Sequence, residues 1–132
     1  MQITSRVPPQ RFYVTTDYDV TTMRQEVRQL ARTLGLGLAQ QAKITTALST
    51  IARVMLARYR SALFILEPTA QGVPAALEIA CMLGSAPADG TQLEQVLPLA
   101  DVRMLVDETT LSFDAGQAVL RLRMHLVRPS RG

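Results

Sequence analysis

The 132 residues, 48% hydrophobic and 19% charged, suit a soluble folded domain with its own core and exclude a disordered chain. A net charge of +3 with only 5% aromatics lacks the dense basic patch, interleaved with aromatics, of a nucleic-acid binder. One cysteine and one histidine exclude an internal disulfide and a His/Cys metal site.

No carboxylate cluster suggests a magnesium site, so no metal is expected. No apolar run is long enough to span a bilayer and no segment resembles a signal peptide, so a cytoplasmic protein without membrane contact is expected. Cys81, in an apolar run, reads as a buried free thiol. One domain over 1–132 is expected, with 1–10 as an extended lead-in containing Pro8 and Pro9, and 128–132 as a tail or linker.

In chain order, Arg11–Thr16 alternates Phe12 and Val14 against Tyr13 and Thr15, the pattern of a half-buried strand. Asp17 or Asp19 then caps a helix in which Val20, Met23, Val27, Leu30 and Leu34 recur at helical spacing. Arg24, Glu26, Arg28 and Arg32 fall on its wet side. Gly35 is the expected left-handed terminator, with Leu36 packing back. Gly37 and Leu38 lead into a central helix from Gln41 to Tyr59. There Ile44, Leu48, Ile51, Met55 and Tyr59 form one stripe, widened by Ala47, Val54 and Ala57 until most sides are apolar.

After Arg60 the period changes. Ala62–Glu67 and Ala76–Leu83 read as two buried strands, paired as an antiparallel hairpin through residues 68–75. Residues 84–91 read as a loop. Gln92–Glu108 suggests a helix, bent or split by Pro98. Thr110–Phe113 and Ala118–Val127 read as two further strands around the Asp114–Gly116 turn. In the last one Ala118, Leu120, Leu122, Met124 and Leu126 share one face, and Arg121, Arg123 and His125 the other. The order β-α-α-β-β-α-β-β implies an α+β two-layer sandwich, a mostly antiparallel sheet of about five strands with helices on one face.

The strand-helix-helix opening, the run QAKITTALSTIAR and the ending DETTLSFDAGQAVLRLRM resemble the RsbT/RsbW group of serine-protein kinases. That group has the GHKL (Bergerat) ATPase fold and serves as anti-sigma-factor-like switch proteins in bacteria. The likeness runs from about Arg11 to Leu126 and is strongest over residues 24–53. It implies a nucleotide cleft served by three motifs, and this sequence departs from each.

The family's catalytic Glu and magnesium-holding Asn, one helix turn apart, correspond to Thr50 and Val54. Threonine is no base near neutral pH, and valine cannot ligate a hard cation. Loss of a general base alone costs about 10²–10⁴ in rate. The adenine-reading Asp-x-Gly-x-Gly corresponds to Leu83, Gly84 and Ser85, with Asp89-Gly90 a less favoured shifted remnant. The glycine-rich phosphate lid is replaced by a glycine-free stretch before Arg103 that carries Glu94 and Asp101. Arg53, kept from the family word, could meet a phosphate or simply lie on a helix surface. The resemblance thus implies a kinase fold without a cofactor and without kinase activity.

It also implies partner switching with a STAS-domain antagonist, a phosphatase or a sigma factor, and a possible homodimer. Candidate contacts are Arg24, Arg28, Arg32 and Gln40 near the two helices, and Arg121, Arg123 and His125 on the last strand. For each, an ordinary solvated surface is the plain alternative, Glu67 or Glu78 pairing with the strand arginines. Two other functions stay open: an ATP-binding kinase using non-standard residues, and a structural dimerisation domain.

Overall fold

Strand β1 (Gln10–Val14) leads directly into two helices, α1 (Asp17–Thr33) and α2 (Leu38–Tyr59). The hairpin β2 (Ala62–Thr69) and β3 (Ala76–Leu83) follows, then a short helix α3 (Leu99–Arg103), β4 (Glu108–Asp114) and β5 (Gln117–His125). This computed structural model describes residues 9–69, 76–83, 97–114 and 117–126. The element order is the expected one, and so is the class, an α+β sandwich with helices on one face of a five-stranded sheet. The strands lie in the order β1-β2-β3-β5-β4, and every neighbouring pair is antiparallel.

The start of α1 differs from expectation in its capping residue. Thr16, not an aspartate, is the N-cap: its hydroxyl accepts the Asp19 N–H at 3.1 Å. Asp19 returns the bond, Oδ2 accepting the Thr16 N–H at 3.1 Å and the Thr15 N–H at 2.9 Å. This reciprocal capping box satisfies amide groups that the first helical turn leaves orphaned. The backbone bond from Thr15, helped by the other donors at Thr15 and Thr16, holds the Asp19 carboxyl below its usual range.

The end of α1 is the expected glycine stop. Gly35 sits at φ +94°, and the N–H groups of Gly35 and Leu36 donate to the carbonyls of Arg32 and Ala31 at 3.0 Å each. These two bonds are those of a Schellman motif, and they fold Leu36 back into the core, where it is buried.

Helix α2 starts at Leu38, three residues before the expected Gln41, because Gln40 supplies an N-terminal bond. Its Oε1 accepts the Gly37 N–H at 3.2 Å, which places Leu38 in the helix but leaves it exposed. Ile44, Leu48, Ile51 and Met55 are fully buried, with Tyr59 at the margin. Ala57, expected to widen the apolar stripe, is exposed instead. Buried polar residues Gln41, Thr45 and Ser49 take part of that width. Each closes onto nearby backbone: Gln41 donates to the Leu36 carbonyl (2.9 Å), Thr45 to Gln41 (2.9 Å) and Ser49 to Thr45 (2.6 Å). Buried polar groups paid for by such bonds let the helix sit deep without apolar residues on every side.

Of the predicted helix over 92–108, residues 92–96 lie outside the described residues, and within the described part helix forms over Leu99–Arg103. Pro98 sits at the N-cap of α3 rather than within a helix, as its missing N–H favours. Strand β4 adds Glu108 and Thr109 at its start and Asp114 at its end to the expected Thr110–Phe113.

One core joins the layers. Val20, Met23 and Val27 of α1, the α2 stripe, Phe64 and Leu66 of β2, Leu77, Ile79 and Cys81 of β3, and Leu120 and Leu122 of β5 form one buried cluster. Burial pushes the Cys81 thiol far up from its ordinary value, so it acts as a small hydrophobe.

Candidate functional site

Thr50 and Val54 lie one turn apart on α2, as their spacing requires. The Thr50 hydroxyl donates to the Thr46 carbonyl at 2.8 Å, within its own helix. Val54 is half-buried and packs against the core cluster. Together they present a hydroxyl already committed as a donor and an aliphatic surface, with no carboxylate or amide to hold a cation. Arg53 between them is exposed.

Leu83 ends β3 opposite Ala118 in the register. Its side chain, Ser85, Asp89-Gly90 and the stretch up to Val96 that includes Glu94 lie outside the described residues. Asp101 is exposed on α3. Among the described residues no group of three His, Cys, Asp or Glu side chains could hold a metal ion. No helix there is long and apolar enough to cross a membrane.

The proposed contact residues separate into two surfaces on opposite sides of the sandwich. On the helix side, Arg24 and Arg28 stand one turn apart on α1. With Thr21, Gln25 and Thr45 they line a shallow depression of about 230 Å³ between α1 and α2. Arg32 continues that row, exposed in the last turn of α1, where a cation also suits the helix dipole. Gln40 does not join it as a free side chain. Besides capping α2, its Nε2 reaches the His125 carbonyl at 3.5 Å, so it ties α2 to the end of β5.

On the sheet side, Arg121 is exposed and donates to Ser112 Oγ at 3.1 Å. Arg123 stands between Glu78 and Glu108 in the register. The expected pairing with Glu78 or Glu67 is not formed: no ion pair joins them among the described residues, and the Arg123 Nε is buried without a partner. His125 is not a bare surface histidine. Its Nε2 lies 2.8 Å from Glu108 Oε2, and its backbone N–H donates to Asp107 Oδ2 at 2.7 Å.

Several of these features escape periodicity. Asp107 and Glu108 meet His125 only because β4 and β5 pair, and Thr45 borders the depression only because α1 packs on α2. The Thr16 cap was available in the sequence, since Thr-x-x-Asp ahead of an apolar helical run is a capping signature.

No family model and no curated protein matches the chain. A solved structure does: the RsbU and RsbW domains of Rv1364c from Mycobacterium tuberculosis, with a TM-score of 0.67 over 95% of this chain at 20% identity. The match spans 34% of that protein. The five-stranded sandwich described above therefore recurs in a solved protein that carries an RsbW domain.

Proposed function

We propose that this domain is a protein-interaction module of a bacterial partner-switching circuit, built on the kinase fold of the RsbW type and no longer able to use ATP. The matched portion of the Mycobacterium protein is read as its RsbW domain. The observation that carries the proposal is the pair Thr50 and Val54. At the positions that correspond to the family's base and metal ligand, one side chain is bonded to its own helix and the other, half-buried, packs against the core. Phosphoryl transfer depends almost wholly on positioned charge and metal, so a site without either has nothing with which to stabilise the transition state.

What remains is surface recognition in the cytoplasm. The Arg24–Arg28–Arg32 row on α1 presents three guanidinium groups at one-turn spacing, suited to carboxylates of a STAS-domain antagonist, a phosphatase or a sigma factor. Calorimetric titration with magnesium and ATP tests the loss of nucleotide binding: no saturable heat is expected, and magnesium-dependent micromolar binding would reverse the reading. Affinity capture with purified STAS, phosphatase and sigma-factor domains tests the second half. At least one is expected to bind, with salt-sensitive affinity.

A further inference from the structure

The depression between α1 and α2 carries positive charge that nothing around it compensates. Thr21, Arg24, Gln25 and Arg28 stand at helical three-and-four spacing and form its α1 wall, and Thr45 belongs to the α2 wall. The ion pairs among the described residues are those of His125 with Asp107 and Glu108, so neither guanidinium is paired. Like charges four residues apart oppose a helix, and no carboxylate is at hand to relieve these two. Glu26, two residues from each, lies on another face of α1. Asp17 shares the face but precedes Arg24 by two turns, roughly 10 Å along the axis. The 22 residues of α2 include no aspartate or glutamate.

The neutral groups divide into donors and one acceptor. The exposed Gln25 amide adds N–H donors. Thr21 spends its hydroxyl on a long 3.4 Å bond to the Asp17 carbonyl and is readily redirected. Thr45 differs: it is buried, and its one proton goes to the Gln41 or Ala42 carbonyl, at 2.9 and 3.1 Å. It can therefore offer the depression only lone pairs.

We infer that this depression holds the phosphoryl group of a phosphorylated serine or threonine on the protein partner. The phosphoryl oxygens sit between Arg24 and Arg28, and a peptide N–H of the same segment donates to Thr45 Oγ1. The inference rests on the partner-binding role proposed for α1 and names what that surface reads. Charge favours phosphate over carboxylate. A phosphomonoester carries about two negative charges near pH 7 and three acceptor oxygens, which match two guanidinium forks. A carboxylate brings one charge and leaves one arginine uncompensated. Size agrees: about 230 Å³ is below the roughly 300–1,000 Å³ of small-molecule sites, and suits one side chain.

Amide chemical shifts of the isotope-labelled full chain test this. The probe is N-acetyl-O-phosphoserine methylamide, with its aspartate analogue and inorganic phosphate as comparators. Saturable shifts are expected at Thr21, Gln25, Arg28 and Thr45, with affinity about tenfold above the aspartate analogue. That affinity should fall about fourfold from pH 7.5 to 5.5, as the phosphoryl group takes up its second proton near pH 6 while both arginines stay charged. Arg24→Gln combined with Arg28→Gln should abolish the shifts, the rest of the spectrum showing that the variant folds. No saturable shift at these residues would overturn the inference, as would binding unchanged in the double variant or by pH. An equal response to the aspartate analogue would overturn it while leaving α1 as the partner surface. Inorganic phosphate binding as tightly as the probe would mark a free-anion site and overturn the assignment to a protein partner.

Discussion

Thr50 donates its hydroxyl to the carbonyl of Thr46 at 2.8 Å, and the next residue, Ile51, is fully buried. One helix step thus separates a side chain at the edge of the core from one inside it. The two should answer mutation very differently. Thr50→Val keeps the shape and removes only a bond within the helix, so its cost should stay within about 0.5 kcal/mol. Ile51→Ala removes buried methylenes and should cost about 2–5 kcal/mol. Urea unfolding of both variants checks the phase of α2. Comparable losses at the two positions would mean that Thr50 sits deeper than described.

The capping box gives a pH response with a definite sign. Folded Asp19 is held below its ordinary carboxylate range, chiefly by the Thr15 backbone N–H, so its contribution is fully present above the unfolded value. It fades as pH falls through the folded value, in the acid limb below about pH 4. Asp19→Asn should therefore flatten the acid side of the thermal midpoint profile while leaving its shape near neutrality unchanged. Thr16→Ala, which removes the reciprocal acceptor, should cost about 1 kcal/mol at neutral pH. Thermal melts from pH 7 downward measure both.

Arg60 closes α2 in a left-handed conformation, φ 71°, with its N–H donating to Met55 and Leu56 carbonyls at 3.1 Å. A side chain in that region costs about 1–2 kcal/mol that glycine avoids, offset in part by the greater entropy of an unfolded glycine. Arg60→Gly should stabilise the domain by about 0.5–1 kcal/mol, a gain that denaturant titration would resolve. A loss instead would mean that the Arg60 side chain holds contacts worth more than the strain.

The architecture was legible because its signals are periodic. The α2 stripe alternates three and four, β5 alternates inward aliphatics with Arg121, Arg123 and His125, and Gly35 stands where a left-handed stop was needed. Boundaries were less so, since they depend on side-chain-to-backbone bonds such as Gln40 to Gly37 and Thr16 to Asp19. The helix expected over 92–108 exceeds what forms in its described part, because Pro98 starts a helix more readily than it bends one and strand pairing takes Glu108. Of the candidate site, sequence placed Thr50 and Val54 one turn apart, but it could not show that Gln40 is already employed. Nor could it show that Arg123 stands beside two glutamates without pairing to either; register and rotamer decide that.

The α1 arginines yield the sharpest functional expectation. Arg24 and Arg28 border the depression against α2, are exposed, and take no part in the core or in either helix cap. Arg24→Glu combined with Arg28→Glu should leave the thermal midpoint nearly unchanged, because exposed substitutions away from caps and core rarely exceed about 0.5 kcal/mol each. The same double variant should lose binding to the cognate partner by about a hundredfold or more, as like charges then face each other across a contact built for opposite ones. Association rates should fall more than dissociation rates rise if the row steers encounter, and raising the salt should narrow the gap between wild type and variant. Surface-immobilised partner at two ionic strengths measures all of this. Unchanged affinity in the charge-reversed variant would move the recognition surface off α1.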